Sequence, residues 1–263
     1  MLPDLIVVTD LDATLLDHFD YSYSAAEPAL QKLKVLGIPL VLNSSKTIAE
    51  MQEIRQLLKL DAPFIVENGA GLLVPEGASL KEYNLGMNRA ELLSVIHDLR
   101  QTHGFKFTGF ADMQPALLAE LTGLSEAGAK LAMQRNFTEA LSWEDSDAQL
   151  QLFREKLQQA GLSLVRGGRF FHVSSAADKG KAVSFLRQYY QREGRTPRFI
   201  ALGDSENDLP MLAVAEYAVL VKSPVRDFPD FEHPALRRTS EYGPAGWNQA
   251  VTSLLNELKE NSE

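Results

Sequence analysis

Two aspartates one residue apart close an apolar run in V-V-T-D-L-D-A-T, residues 7–14. Side chains alternate along a strand, so Asp10 and Asp12 start out on the same side. Carboxylates that close repel each other unless a cation or a shared proton intervenes. Three more segments follow in order: L-N-S-S-K-T at 42–47, A-D-K-G-K-A at 177–182 and G-D-S-E-N-D at 203–208. They supply hydroxyls, a lysine and further carboxylates. Together the four segments make a site for a phosphate, a hard metal ion and an aspartate nucleophile.

Each segment also has a plainer reading. Asp10 and Asp12 could form an acidic turn. Ser44 and Ser45 lie where a strand gives way to a helix, so one can cap the helix while the other binds phosphate at its N-terminus. Lys179 stands in a first helical turn, where a cation opposes the helix dipole. A bound phosphate explains that placement better than a solvated face does. Gly180 beside it allows close approach. Asp204 follows an apolar strand through Gly203, ahead of Ser205, Asn207, Asp208 and a helix containing Pro210. Mg²⁺ prefers carboxylate, water and phosphate oxygens, and Asp10, Asp12 and Asp204 at neighbouring strand ends suit it.

Parallel strands can hold such ends together. Apolar runs at 5–9, 38–42, 64–66, 199–202 and 217–221 read as buried parallel strands. Between the first three lie helices marked by Leu30, Leu33 and Leu36, then by Met51, Ile54 and Leu58. The alternation gives an α/β fold, a Rossmann-like parallel sheet with ligands beyond the carboxyl ends of its strands. The middle of the chain differs. Short strands at 106–110, 140–143, 162–165 and 170–173 alternate with helices at 89–102, 125–135 and 147–160, the last closed by Gly161. Residues 69–77 read as a hairpin between the two regions. The expected organisation is a core of residues 1–83 and 172–263, with an α/β cap inserted at 84–171. The tail from Glu257 is expected to fray.

Composition narrows the options. The 263 residues suit one or two domains, and cysteine is absent, which excludes disulfides and thiolate chemistry. Asp4, Asp10 and Asp12 interrupt the N-terminal apolar stretch, so it does not read as a signal peptide, and no run is long enough to span a bilayer. A cytoplasmic location is expected. The net charge of −9 argues against a nucleic-acid partner. An anionic substrate must then be drawn in by local positive charge.

The ordered segments resemble the haloacid-dehalogenase-like (HAD) phosphohydrolases. The family pattern D-x-D-G-T is matched by Asp10-Leu11-Asp12-Ala13-Thr14, with alanine in place of glycine. The resemblance implies Asp10 as nucleophile and Asp12 as general acid/base, the latter also giving Mg²⁺ its backbone carbonyl. It implies Ser44 on the phosphoryl oxygen, Lys179 neutralising it, and Asp204 on the metal. Asp208 would support the metal or Lys179. The insertion resembles the family's Cof-type cap.

Further stretches are similar to those of mannosyl-3-phosphoglycerate phosphatases: L-N-S-S-K-T, F-I-V-E-N-G-A at 64–70, L-T-G-L at 121–124, Q-R-N-F-T-E at 134–139 and G-G-R-F-F-H at 167–172. This implies a phosphorylated sugar-glycerate substrate, with Ser45, Lys46, Glu67, Asn68, Arg135 and Arg169 in the substrate-binding set. Arginine reads a glycerate carboxylate bidentately; the plainer reading is surface salt-bridging with the local Glu139 and Glu144, which weighs more on Arg135 than on Arg169. Glu67 and Asn68 follow a buried strand and could meet sugar hydroxyls, or simply form a turn. His172, Trp143 and Trp247 read as packed residues. Three other functions use similar groups: another Cof-type sugar phosphatase, a phosphosugar mutase of the same fold, and a signalling module that stores phosphate on aspartate. The long insertion disfavours the last, because a receiver needs an open surface.

Overall fold

The computed structural model describes residues 3–167, 170–175 and 177–261. The chain opens with β1 (Leu5–Thr9), α1 (Glu27–Leu36), β2 (Leu40–Asn43), α2 (Ile48–Leu58) and β3 (Phe64–Val66), then a hairpin of β4 (Gly71–Glu76) and β5 (Ser79–Asn84). Next come α3 (Arg89–His103), β6 (Phe107–Gly109), α4 (Pro115–Thr122), α5 (Glu126–Ala132), β7 (Glu139–Trp143), α6 (Asp147–Gln159), β8 (Leu162–Gly167) and β9 (Phe170–Ser175). The chain then adds α7 (Lys179–Arg192), β10 (Arg198–Gly203), α8 (Leu209–Ala213), β11 (Tyr217–Lys222), β12 (Leu236–Tyr242) and α9 (Gly243–Glu260).

The main sheet has the order β12-β11-β10-β1-β2-β3-β4-β5. It is parallel from β12 to β3, and the hairpin adds two antiparallel strands. This is the expected α/β class. β1 shows why an unbroken apolar run was needed. Leu5 and Val7 join the core beneath α1, α2 and α9, while Ile6 and Val8 join the core beneath α7 and α8. Both faces of the strand are covered, so polar alternation would leave a side chain unpartnered. The order also puts β1 between β10 and β2, where the winding reverses. Crevices in such sheets open beyond the strand ends at that point, and Asp10 stands there.

A second sheet, β6-β7-β9-β8, is antiparallel throughout and packs its own core around Phe107, Leu141, Phe153 and Val173. Its last strand runs to Ser175, across the expected boundary at 171/172, because Leu162 and Ser163 of β8 pair with Ser175 and Ser174. The helix expected over 125–135 spans only Glu126–Ala132, capped by Ser125. β2 starts at Leu40, since Gly37 closes α1 in the left-handed region. Gly161 takes its expected positive φ of 74°. The tail does not fray at Glu257: α9 runs to Glu260, and Arg237 on β12 forks onto the Glu257 carboxylate at 2.7 and 2.6 Å. Among the described residues, no helix is long and apolar enough to cross a membrane.

Glycine sets one contact that the site depends on. A Cβ on Gly180, at the start of α7, would overlap the Pro210 carbonyl of α8. Only a glycine lets α7 approach near enough to bring Lys179 beside Asp208. Gly180→Ala should therefore cost about 1–3 kcal/mol, the usual penalty of overpacking. An unchanged urea midpoint would contradict this packing.

Candidate active site

Asp10 lies just beyond β1, and its position is fixed from behind. Trp247 on α9 donates its indole N–H to Thr9 Oγ1 at 2.9 Å, and that hydroxyl donates to the Asp10 carbonyl at 2.8 Å. Trp247 is thus a core residue that braces the site. The turn after Asp10 needs a left-handed residue: Ala13 has φ of 61°. That conformation costs a non-glycine residue about 1–2 kcal/mol, which gives the glycine of the family pattern its reason.

Lys179 opens α7, with Asp178 as the N-cap accepting from the Lys181 amide at 2.8 Å. Its ammonium is fully buried and lies 2.6 Å from both Asp10 Oδ1 and Asp208 Oδ1. Burial alone would lower the lysine's pKa, but Asp10 and Asp208 outweigh it and hold the ammonium charged. Asp208 also accepts on Oδ2 from the Asp204 and Ser205 amides at 3.0 and 3.1 Å. It therefore buttresses Lys179 and the 204–205 turn, with both oxygens occupied.

Asp10, Asp204 and Asp208 each place a carboxylate oxygen within 4.8 Å of the others. Burial pushes Asp10 up, and Asp208, Asp12 and Asp204 add to that against the pull of Lys179. Burial, then Asp208, raises Asp204 to about 6. Its Oδ2 has no hydrogen-bond partner; Arg226 Nε stands 3.8 Å away. An orphaned carboxylate oxygen amid excess negative charge, with no thiol in the chain, fits a hard cation. Asp10 and Asp204 are the side chains free to hold one. The Asp12 carboxylate does not join them: it turns to Lys46 at 2.9 Å and is 40% exposed, leaving only its backbone for a metal.

The serine segment is built differently from expectation. Thr47, not a serine, caps α2 in a reciprocal box with Glu50. Ser44 is buried and its hydroxyl accepts from the Lys46 amide at 3.3 Å. Glu67, Asn68 and Gly69 all have positive φ. A Cβ on Gly69 would overlap the Asp178 carbonyl, so this turn packs against the start of α7. Glu67 does not offer its carboxylate to a sugar. It accepts from the Asn136 and Phe137 amides at 2.7 and 3.2 Å and from Thr138 Oγ1 at 2.5 Å. Asn68 stays at the rim, accepting from Asn207 at 3.3 Å. Arg135 is buried between the inserted segment and the core rather than exposed. Arg169 lies outside the described residues. His172 is buried, and burial with Arg135 pushes it down to about 3, so it is a neutral packed residue.

Sequence reasoning missed Asn43 and Arg226. Buried Asn43 donates to the Lys179 carbonyl at 3.2 Å and ties β2 to α7. Its position directly before Ser44 was the available signal. Arg226 had none, since it lies in an irregular stretch after β11. A surface cavity of about 990 Å³ is lined by residues of α1, β2 and α2 and by Tyr190, away from this chemistry.

A family model for haloacid dehalogenase-like hydrolases matches residues 7–118 and 129–225. The chain belongs to that family. It is 37% identical, over 95% of its length and 97% of the relative's, to the glucosyl-3-phosphoglycerate/mannosyl-3-phosphoglycerate phosphatase of Methanococcoides burtonii. It is 34% identical to the protein of the same name from Persephonella marina, over 97% of this chain and 98% of that one. A solved haloacid dehalogenase-like hydrolase from Bacteroides thetaiotaomicron superposes with a TM-score of 0.67 at 17% identity, covering 95% of this chain and 99% of that one. That last likeness concerns the fold alone.

The charge crowding has a measurable consequence for this hydrolase. A folded pKa of about 6 at Asp204 exceeds the unfolded value of about 3.9. Between those values the folded protein binds more protons, so stability from this group is lost as pH rises through about 6. In EDTA, Asp204→Asn should be more stable than wild type at pH 7 by about 2–3 kcal/mol, with the gap closing toward pH 4. Equal urea midpoints at pH 7 would contradict the crowding.

Proposed function

We propose that this protein is a Mg²⁺-dependent phosphomonoesterase that dephosphorylates mannosyl-3-phosphoglycerate or its glucosyl analogue through an aspartyl-phosphate. The observation that carries the reading is buried Asp10, at the end of the central strand, held 2.6 Å from the fully buried Lys179 amine. Asp10 attacks phosphorus as the ester P–O bond breaks. Asp12 gives its proton to the departing alkoxide, then takes one from the water that attacks the acyl phosphate, releasing inorganic phosphate and restoring Asp10. Lys179 and the Ser44 hydroxyl meet the phosphoryl oxygens. Mg²⁺ on Asp10, Asp204 and the Asp12 carbonyl would supply further screening of the phosphate charge.

The curated relatives' names support the choice of substrate. A cavity of about 270 Å³ opens next to Lys46, between Tyr21 and Glu53 on one side and Leu124 and Leu131 on the other. Lys46, which pairs with Asp12 at 2.9 Å, is the link between this cavity and the site. Residues 84–171 serve as the cap that reads the substrate, with Arg169 assigned to the glycerate carboxylate on the sequence alone.

Phosphate release from a panel of sugar phosphates and glycosyl-3-phosphoglycerates, with and without Mg²⁺, tests this reading. The glycosyl-3-phosphoglycerates should be preferred, and chelation should abolish turnover. Asp10→Asn should eliminate activity in a folded protein, and Asp12→Asn should lower kcat by about 10²–10⁴-fold. Substantial steady-state turnover by Asp10→Asn would refute the nucleophile. A preference for simple sugar phosphates would remove the glycerate from the substrate.

A further inference from the structure

The segment carrying Ser44 ends with three consecutive carbonyls, and each is held by a different donor. Ser44 O accepts from the Asn68 amide at 2.9 Å, and Lys46 O from the Glu67 amide at 3.0 Å. Both donors belong to the left-handed turn after β3. The middle carbonyl, Ser45 O, accepts from Arg135 Nη2 at 3.2 Å. Arg135 comes from the inserted segment, ninety residues away in sequence.

The arginine is itself fixed. Its Nε donates to Thr138 Oγ1 at 2.8 Å and lies 3.6 Å from Glu67 Oε2. Thr138 donates its own hydroxyl hydrogen bond to the same Glu67 carboxylate. Arg135 is buried, and neutral His172 lies nearby. Thr47 Oγ1 donates to the Leu131 carbonyl at 2.9 Å, and Phe137 packs into the core's apolar cluster. The inserted segment is thus anchored to the serine loop and to the turn that also holds it. A guanidinium can serve Ser45 O and Thr138 together because its donors diverge in a rigid fork.

We infer that Arg135 is a positioning residue for the phosphate-binding loop at 44–46, and not a reader of the substrate's glycerate carboxylate. The inference rests on the phosphatase reading of the site but not on the identity of the sugar. Its consequence is that a residue of the inserted segment governs every phosphate ester alike. When the segment is docked, the loop's carbonyls are all engaged and the Ser44 hydroxyl is set. When Arg135 withdraws, the middle carbonyl loses its donor.

Arg135→Met and Arg135→Lys test this. Lysine keeps a charge beside Glu67, so the fold should survive, but a point donor cannot span both partners. The readouts are kcat/KM on p-nitrophenyl phosphate and on a glycosyl-3-phosphoglycerate, inhibition by orthovanadate, and amide hydrogen exchange at 44–47. Both substrates should lose the same factor, at least tenfold, and vanadate should weaken in parallel. In Arg135→Lys the 44–47 amides should exchange faster at an unchanged Tm. A loss confined to the glycerate-bearing substrate, with aryl phosphate and vanadate unaffected, would overturn the inference, as would no loss on either. If Arg135→Met fails to fold, Arg135→Lys decides the matter. If the wild type rejects glycosyl-3-phosphoglycerates, the substrate proposal fails while the aryl phosphate and vanadate results still decide the role of Arg135.

Discussion

Burying Lys179 between Asp10 and Asp208 is the constraint around which the molecule is arranged. A buried ammonium without partners would be neutral, and losing one partner of such a pair costs about 3–5 kcal/mol. The chain therefore has to deliver three distant groups to one point. Asp10 comes from the end of β1, Asp208 from the turn before α8, and Lys179 from the first turn of α7. Gly180 clears the approach of α7 to α8, and Asn43 ties the Lys179 carbonyl to β2. The lysine offsets only part of the charge that gathers there. Asp204 keeps an oxygen without a hydrogen bond, and burial and Asp208 raise its pKa to about 6.

The second dependency runs from the inserted segment. Glu67 collects the Asn136 and Phe137 amides and the Thr138 hydroxyl, so its carboxylate links the two sheets rather than binding substrate. Three residues in a row with positive φ are needed to aim it, two of them not glycine. Such backbone costs of order 1–3 kcal/mol per residue. Here the surrounding bonds hold it: the same turn donates to Ser44 O and Lys46 O. The inserted segment and the serine loop are therefore joined through residues 67–69 and 135–138.

Much of this was legible in the sequence, for identifiable reasons. Strands buried on both faces write themselves as apolar runs, so β1 and β3 were read to the residue, and β10 and β11 to within one residue at each end. β12 was missed because it is an edge strand, Leu-Arg-Arg-Thr-Ser-Glu-Tyr, with one buried residue. α9 was missed because Gly243, Pro244 and Gly246 open it. At the site, spacing pointed to Asp10, Lys179 and Asp204, which stand at strand or helix ends and which the structure brings together. It could not show the contacts that Glu67, Asp12 and Arg135 make, since their partners lie far away in sequence. Asp12 faces Lys46, which the serines overshadowed, and the cap of α2 was the Thr47–Glu50 pair two residues further on.

The central claim is that Asp10 carries the phosphoryl group between two chemical steps. It is tested most directly by mixing enzyme, Mg²⁺ and glycosyl-3-phosphoglycerate, quenching in acid within the first turnover, and mapping the modified peptide by mass spectrometry. The account predicts one acid-stable, base-labile phosphoryl group on Asp10 that disappears as inorganic phosphate accumulates. Phosphate on any other residue, or full turnover with no covalent species at any quench time, would contradict it.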